Sequence, residues 1–241
     1  MIIDCHVHIK GGDTFKTEST AEEIIPVMDD AGIDKAVCFA MSASPVDSTE
    51  MVYREVSKRP DRLIGFTYAR PMYDRDVSAF IRKAFDDYNM KGIKIHRGET
   101  SLAPGVMGPV YKAAIEYDYP CIVDTKGMNE EIKEVIVKFP DLKLIIAHMG
   151  HIGADAINIA DLIDFIKPYK NVFLDTSYIP MYLLIRDAVN ILGSERVIFG
   201  SDGILLSPRA EMEKIRALKF SKEQETNIFG HNIARILKIP V

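Results

Sequence analysis

Two histidines separated by one residue lie close to the start of the chain, in the segment Ile2-Ile3-Asp4-Cys5-His6-Val7-His8. The apolar start of this segment predicts a short buried strand, and alternation along a strand puts His6 and His8 on the same face. Neutral imidazole is a good ligand for zinc, iron, nickel or copper, so the pair could supply half of a tetrahedral metal shell. Paired histidines also occur without a metal, so their chemistry depends on what the rest of the chain brings beside them.

Six of the eight apolar runs in the sequence end in His or Asp. The eight terminal residues are His8, Met41, Tyr68, His96, Asp124, His148, Asp175 and Asp202. Surface loops also draw on Gly, Ser, Asn, Lys and Glu, so this excess of metal-binding and proton-transferring groups is informative. Taken singly, the aspartates could cap helices and the histidines could be ordinary strand-end residues. Together they favour one shared site.

The apolar runs alternate with amphipathic helical patterns, and this alternation favours a parallel sheet. The predicted strands are 2–8, 35–41, 63–68, 92–96, 120–124, 142–148, 172–175 and 197–202. The predicted helices are 19–32, 48–58, 76–88, 109–117, 130–139, 154–166, 180–192, 209–218 and 222–237. Ser19 and Glu22 form a capping-box pattern at the start of the first helix, and Pro26 conflicts with a regular first turn.

Eight strand-helix units are the number that closes a (β/α)8 TIM barrel, in which active-site groups lie at the carboxyl ends of the strands. An open doubly wound sheet is the alternative fold. Residues 9–13, which follow the first strand, lack the glycine-rich dinucleotide loop that such a sheet usually carries there. We find no linker and no change of composition, so residues 1–241 are predicted to form a single α/β domain.

The composition of the chain limits the classes of binding partner that we expect. The chain has 35 Asp and Glu against 30 Lys and Arg, which gives no reason to expect nucleic acid or an anionic membrane surface. We expect a small-molecule substrate, with a homodimer left open. Three cysteines within apolar runs, no signal peptide and no membrane-length apolar run predict a cytoplasmic protein.

The strand ends and the final helix resemble the amidohydrolase superfamily, in particular its amidohydrolase-2 (aminocarboxymuconate-semialdehyde decarboxylase-like) branch. The segments that carry this resemblance are Asp4-Cys5-His6-Val7-His8, Gly92-Ile93-Lys94-Ile95-His96, Ile146-Ala147-His148-Met149-Gly150, Asn171-Val172-Phe173-Leu174-Asp175-Thr176-Ser177, Val197-Ile198-Phe199-Gly200-Ser201-Asp202 and Asn232-Ile233-Ala234-Arg235-Ile236-Leu237. The resemblance covers nearly the whole chain. It implies an enzyme with a divalent metal held by His6, His8, a fifth-strand histidine and Asp202, with His148 transferring protons or stabilising an oxyanion.

The sequence departs from the family at the fifth strand, where Asp124 occupies the position of the histidine. A carboxylate can bind zinc, manganese or iron, so a shell of His6, His8, Asp124 and Asp202 is chemically sound. Two carboxylates would neutralise the cation and acidify its water less than three imidazoles do. Alternatively, Asp124 pairs with Lys126 and no metal binds, as in some lactonases of the superfamily.

We therefore expect one divalent metal ion, zinc first, with manganese or iron as alternatives. In relatives with two metals a fourth-strand lysine is carboxylated, but Lys94 lies two residues before the strand end, so a mononuclear site is favoured. In the expected mechanism Asp202 is the general base and His148 stabilises charge on the carbonyl oxygen.

Residues that follow strands three to six could contact the substrate. They are His96, Arg97, Lys126 and His151, with Arg70 as a further cation near the mouth. If two of the cations face inward, the substrate carries a carboxylate or phosphate. The predicted activity is hydrolysis of a small, anionic ester, lactone or amide. The alternatives are decarboxylation of an aromatic or unsaturated acid, and a metal-free lactonase or non-catalytic barrel.

Overall fold

The structure is a computed structural model that describes residues 1–10, 18–72, 76–153 and 155–240. Eight parallel barrel strands follow one another along the chain, the third in two segments. They are β1 (Ile3–Lys10), β2 (Lys35–Ala40), β3 (Leu63–Gly65 and Thr67–Tyr68), β4 (Ile93–His96), β5 (Cys121–Asp124), β6 (Leu144–Ile146), β7 (Val172–Asp175) and β8 (Val197–Ile198). Each strand pairs in parallel with its neighbour in sequence.

Backbone hydrogen bonds between the first and last strands close the barrel. The amide of Cys5 donates to the carbonyl of Phe199 at 3.0 Å, and the amide of His8 donates to Gly203. Phe66 lies between the two segments of β3, and its amide donates to the carbonyl of Cys38 in β2 at 2.9 Å. Together these bonds confirm the predicted (β/α)8 barrel.

Amphipathic helices surround the strands. They are α1 (Ala21–Ala31), α2 (Pro45–Val56), α3 (Val77–Asp87), α4 (Pro104–Tyr117), α5 (Asn129–Lys138), α6 (Ala156–Ile166), α7 (Leu183–Leu192), α8 (Pro208–Arg216), α9 (Lys222–Thr226) and α10 (Asn232–Leu237), with a π-helical turn at Asn227–His231. Within the described ranges, no helix has both the length and the hydropathy needed to cross a bilayer.

Several predicted boundaries were wrong for local reasons. The capping box of α1 uses Thr20 and Glu23 rather than Ser19 and Glu22. Helix α4 begins at Pro104, five residues before the predicted start, because proline suits the first turn of a helix. Residues 11–13 of the segment after the first predicted strand, and the predicted helix start at Ala154, lie outside the described residues.

Side chains alternate between the barrel interior and the layer under the helices. On β4, Ile93 and Ile95 pack in the cluster under the helices, which leaves Lys94 and His96 on the interior side. The register of β1 shifts between Asp4 and Val7, where the pairing with β2 has a bulge-like irregularity. A bulge changes the phase of alternation, which allows β1 to bury Cys5 in the interior cluster and still direct His6 and His8 toward the site.

Candidate active site

The candidate site lies at the carboxyl ends of the barrel strands. His8, His96 and Asp124 are on the strands themselves, whereas His148 and Asp202 follow β6 and β8 in tight turns. The predicted sixth and eighth strands therefore end too late, because His148 and Asp202 have φ of 54° and 60°. These left-handed turns bend the chain across the barrel end, which brings both side chains to the pocket.

A small pocket collects these side chains. Its volume is about 160 Å³, and the described residues that line it are His6, His8, Met41, Lys94, His96, Asp124, Lys126, His148, Ile152, Asp202 and Leu205. Seven of the nine residues that were predicted to take part in chemistry or binding are in this set. The pocket thus joins residues contributed by six of the eight strands and the turns that follow them.

Asp202 bridges the two histidines of β1. Its Oδ1 lies 2.9 Å from Nε2 of His8 and 3.5 Å from Nε2 of His6. Burial raises the pKa of Asp202, but the hydrogen bond from His8 and the charges of the nearby histidines outweigh burial and hold that pKa well below its usual value. Asp202 is therefore ionised throughout the physiological pH range and can accept a proton.

Asp175 orients two of the imidazoles from behind. Its Oδ2 accepts a hydrogen bond from Nδ1 of His6 at 2.8 Å, and its Oδ1 accepts one from the backbone amide of His148 at 3.0 Å. Nδ1 of His148 lies 3.1 Å from the carbonyl oxygen of Ser177, which can only accept. Both imidazoles are thus held with the proton on Nδ1, and each leaves the lone pair of Nε2 for the pocket.

The pKa values of His6 and Asp175 determine the charge of this buried pair. Burial and then the charge of Lys94 lower the pKa of His6 to about 4, so this imidazole is neutral near pH 7. Burial raises the pKa of Asp175, but the neighbouring His6 and its hydrogen bond outweigh that effect, and the result is a pKa of about 2. A neutral imidazole that donates to an ionised carboxylate is the usual arrangement behind a metal-binding histidine.

Asp124 faces a different pair of histidines. Its Oδ2 lies 3.2 Å from Nε2 of His96 and 3.6 Å from Nε2 of His148. Burial raises its pKa, but His96, His148 and Lys94 hold the pKa below its usual range. The backbone amide of Lys126 also donates to Asp124, at 2.8 Å, whereas the side chain of Lys126 forms no ion pair with it among the described residues.

Lys94 reaches the pocket floor. Its side chain is fully buried, with Nζ 3.1 Å from Nε2 of His6 and 4.3 Å from the ring centroid of Phe39. Burial lowers its pKa, while the carboxylates of Asp124, Asp175 and Asp202 act in the opposite direction. From sequence, Lys94 was considered as a possible carboxylated lysine of a two-metal site, whereas in the structure its Nζ contacts a proposed metal-binding nitrogen.

The cations predicted around the mouth differ in what they contact. Nη2 of Arg97 lies 2.8 Å from Oε1 of Glu131, so its charge is already paired. Lys126 is exposed and lines the pocket. The ring of His151 packs beside Gly127, where an added Cβ would lie 2.5 Å from its Cδ2, and His151 does not line the described pocket.

The donor set fits a divalent metal ion. One ligating atom each from His6, His148 and Asp202 lies within 4.8 Å of the others. The outer nitrogens of both imidazoles are already occupied, which is the support that histidine ligands usually have. His8 lies next to this group because its Nε2 contacts Asp202, and Asp124 lies next to it because its Oδ2 is close to Nε2 of His148. The one obstacle is Lys94, whose ammonium group and a metal would compete for the same lone pair of His6.

Two supporting residues lacked a signal specific enough to identify them from sequence. Asp175 was recognised as one of the strand-end residues, with a helix cap as its alternative interpretation, but no role in the site was assigned to it, and its contact with His6 spans 169 positions. Asp4 accepts hydrogen bonds from the amides of His6 and Ser201, at 3.0 and 2.9 Å. A polar residue inside an apolar strand was the available signal in both cases, since buried carboxylates need partners.

The structure is thus a (β/α)8 barrel with His and Asp side chains gathered at its carboxyl end. The chain belongs to the amidohydrolase-2 family, whose model, described as amidohydrolase, matches residues 3–239. It is therefore an enzyme of that family, as the sequence resemblance predicted. Among curated proteins, no sequence matches the chain significantly.

Solved structures that share the fold include enzymes of several reaction types. A 5-carboxyvanillate decarboxylase from Novosphingobium aromaticivorans, complexed with manganese and 4-hydroxy-3-methoxy-5-nitrobenzoic acid, has a TM-score of 0.82 at 16% identity over 99% of this chain and 96% of that one. A 4-oxalomesaconate hydratase from Rhodopseudomonas palustris has a TM-score of 0.78 at 16% identity, with 99% and 96% covered. A probable 2-pyrone-4,6-dicarboxylic acid hydrolase from Acinetobacter baumannii, with citric acid bound, has a TM-score of 0.78 at 13% identity, with 98% and 99% covered.

Proposed function

We propose that this chain is a metal-dependent hydrolase that cleaves an ester, lactone or amide bond in a small anionic substrate. The observation that carries the proposal is the convergence of His6, His148 and Asp202, with both imidazoles held from behind. His8 and Asp124 lie next to this group and are proposed as further donors. The proposed ion is zinc, with manganese or iron as the alternatives.

A bound divalent ion supplies positive charge that polarises the scissile carbonyl. Asp202 is ionised and lines the pocket, so we assign it the proton of the attacking water. His148 lies between Asp202 and Asp124, with the lone pair of its Nε2 facing the pocket. Where this nitrogen does not hold the metal, we assign it the proton that Asp202 takes from water, which it then passes to the leaving group. His96, held by Asp124, limits the pocket on the β4 side.

Lys126 is the proposed anchor for an anionic substrate. It is exposed at the pocket, and no ion pair of its side chain is found within the described ranges. Arg97 is a weaker candidate because Glu131 already neutralises it, and a second anion would have to displace that carboxylate. The acidic ligands that the names of two solved structures mention, a nitrobenzoic acid and citric acid, are consistent with this assignment.

Lys94 favours a second candidate, a metal-free lactonase. Its buried Nζ contacts His6, and the charges of Asp124, Asp175 and Asp202 favour its protonated form, so the lysine could supply the positive charge that polarises a carbonyl. The same contact blocks a metal from His6 until Lys94 moves away. The two candidate functions therefore differ in which cation polarises the carbonyl, a metal ion or the side chain of Lys94. A substitution of Lys94 can separate them.

Substitution of Lys94 by Met distinguishes the candidates. For a metal-dependent enzyme, chelation should abolish activity, zinc or manganese should restore it, and Lys94→Met should bind metal at least as tightly as the natural protein. For a metal-free lactonase, chelation should change nothing and Lys94→Met should lose about 100-fold or more in kcat/KM, as expected for loss of a group that stabilises developing charge. Lys112→Met, on the exposed face of α4, is the matched control.

Reaction type needs a substrate panel. Lactones and aromatic acids would be assayed separately, with acid release as the readout for hydrolysis and carbon dioxide for decarboxylation. Carbon dioxide release from an aromatic or unsaturated acid, with no turnover of lactones, esters or amides, would replace the hydrolase proposal by the decarboxylase that several solved structures of this fold are named for.

A further inference from the structure

A second cavity lies at the opposite, amino-terminal end of the barrel. Its volume is about 530 Å³, within the range of about 300–1,000 Å³ that is typical of small-molecule sites. It lies among the starts of β2 and β3, the ends of α2, α3 and α4, and the segment after α10. We call it the amino-end pocket, and its charged and aromatic lining residues are Lys35, Tyr53, Tyr88, Lys91, Tyr117, Tyr119 and Lys238.

Tyrosines form the aromatic walls of the amino-end pocket. Tyr53 and Tyr88 meet edge to face with ring centroids 5.2 Å apart, and the rings of Tyr117 and Tyr119 lie 6.2 Å apart. Tyr53 is 42% exposed, so one aromatic side chain is open to an incoming ligand. Rings in such arrangements offer both faces and edges to a further planar ring.

The charge of the amino-end pocket is positive. Three lysines line it, and no Asp or Glu is among its described lining residues. Lys35 donates to the carbonyl of Asp61, and Lys91 donates to the side-chain oxygen of Asn89 and lies 3.4 Å from the hydroxyl of Tyr119. These partners are neutral. Within the part of the chain that the structure describes, Lys238 is the only one of the three with a carboxylate partner, Asp118 at 2.8 Å.

Strand pairing places the two lysines with neutral partners on either side of β3. Lys35 begins β2, and the pairing of β2 with β3 starts at Ala36 and Leu63. The amide of Lys91 donates to the carbonyl of Gly65, at the end of the first segment of β3, at 2.8 Å. Two cations thus border the same short strand, in a chain with a formal net charge of −5. Positive charge concentrated in a concave site of an acidic protein favours an anionic ligand.

We propose that the amino-end pocket binds a planar aromatic anion, with its ring against the tyrosines and its carboxylate or sulfonate at Lys35 and Lys91. The lysine at position 91 already contacts an aromatic face, with Nζ 5.7 Å from the ring centroid of Tyr119. A ligand that combines a ring with a negative charge satisfies both features at once. This site is at the far end of the barrel from the candidate active site and is independent of the proposed function.

Two fluorescent probes with the same ring system test the proposal. Anilinonaphthalene sulfonate carries a negative charge, whereas N-phenyl-naphthylamine is its uncharged counterpart. Lys35→Met combined with Lys91→Met should weaken binding of the sulfonate by about tenfold, the loss expected from two partly exposed ion pairs, and should change binding of the neutral probe less than twofold. Lys112→Met combined with Lys170→Met removes the same charge from exposed positions and should leave both affinities unchanged.

Amide chemical shifts locate the bound sulfonate. We expect shifts at Gly65, Lys91 and Tyr119, and none at His96 or Lys126. Equal sulfonate affinity in the two double variants, or shifts confined to the active-site end, would overturn the proposal. Circular dichroism melts confirm that each variant is folded. If the first double variant does not fold, two single variants replace it. Lys91→Met should weaken binding of the sulfonate alone, and Tyr88→Leu should weaken binding of both probes; unchanged sulfonate affinity in both variants would overturn the proposal.

Discussion

At the level of single side chains, Asp175 connects two histidines of the candidate site with the segment after β7. It accepts from Nδ1 of His6, from the backbone of His148 and from the backbone of Ser177. Asp175 is fully buried behind these histidines and does not line the pocket. We therefore regard Asp175 as a positioning residue, which acts through the orientation and tautomer of the two histidines.

Asp175→Asn should weaken zinc binding by about 10- to 100-fold, because an amide oriented toward Nδ1 of His6 cannot provide the charged acceptor that supports a histidine ligand. Competition with a chromophoric chelator measures the affinity. Ser177→Ala, which removes only a hydroxyl near His148, should have a smaller effect.

Asp187→Asn, a change at a half-exposed position on α7, is the control for loss of one carboxylate. Unchanged zinc affinity in a folded Asp175→Asn variant would contradict the positioning role.

At the level of elements, the turn after β4 fixes the ring of His96. A Cβ added at Gly98 would lie 2.7 Å from Cε1 and 3.0 Å from Nδ1 of that ring. Nε2 of the same ring contacts Asp124. The glycine is therefore required for the close approach between backbone and imidazole, and the turn sets the distance between β4 and β5 side chains at the pocket.

Gly98→Ala should lower kcat/KM by about tenfold, because a displacement of about 1 Å at a reacting site is costly. Its effect on the free energy of unfolding should stay within about 1 kcal/mol, since the position is exposed. Steady-state kinetics and denaturant unfolding measure the two effects.

The matched control is Gly105→Ala in the first turn of α4, where an added Cβ meets no atom within 4 Å. It should leave kcat/KM unchanged and stabilise the fold by up to about 1 kcal/mol. Equal kinetics for both alanine variants would show that the His96 ring position does not affect turnover.

For the whole molecule, Asp4 links the first strand to the turn after the last. It accepts from the amide of His6 at 3.0 Å and from the amide and hydroxyl of Ser201, and it is fully buried. Burial raises the pKa of Asp4 from 3.8 to about 7, because the hydrogen bonds to Ser201 and His6 compensate only in part. The link between the first strand and the turn after the last thus includes a carboxyl group that holds its proton more tightly than it does in the unfolded chain.

This pKa shift predicts how stability depends on pH. The folded protein binds more protons at Asp4 than the unfolded chain between about pH 4 and pH 7, so the contribution of Asp4 to stability falls as pH rises through that window. Asp4→Asn removes the titration. The difference in unfolding free energy between the natural protein and Asp4→Asn should shift in favour of the variant by roughly 3 kcal/mol from pH 4 to pH 7, because each pKa unit is worth about 1.36 kcal/mol and the group is only partly titrated at both ends of this range.

Denaturant unfolding of both proteins across the pH range measures this difference. Because the two proteins share all other titrating groups, the contributions of those groups cancel. Asp141→Asn, at an exposed position, should show a difference that is nearly constant with pH. A constant difference for Asp4→Asn as well would mean that Asp4 titrates in the folded protein as it does in the unfolded chain.

Much of the barrel could be predicted because its signals are local. Each strand is a short apolar run, and each helix has its own periodic stripe, as in α3, where the predicted boundary residues Asp76 and Tyr88 are the caps. The turns at His148 and Asp202 could not be predicted, because left-handed conformations at these residues arise from the packing around them. The irregularity in β1 escaped prediction for the same reason.

The sequence by itself determined the order of eight strand-helix units and the His and Asp side chains that end most of them, because both follow from residue type and spacing along the chain. Only the tertiary structure decided how the first-strand histidines divide their contacts: His6 between Asp175, Lys94 and Asp202, and His8 with Asp202. It also paired Arg97 with Glu131 and Asp124 with His96. These contacts join residues that lie far apart in sequence or on different elements, and their geometry depends on barrel closure, which no local pattern encodes.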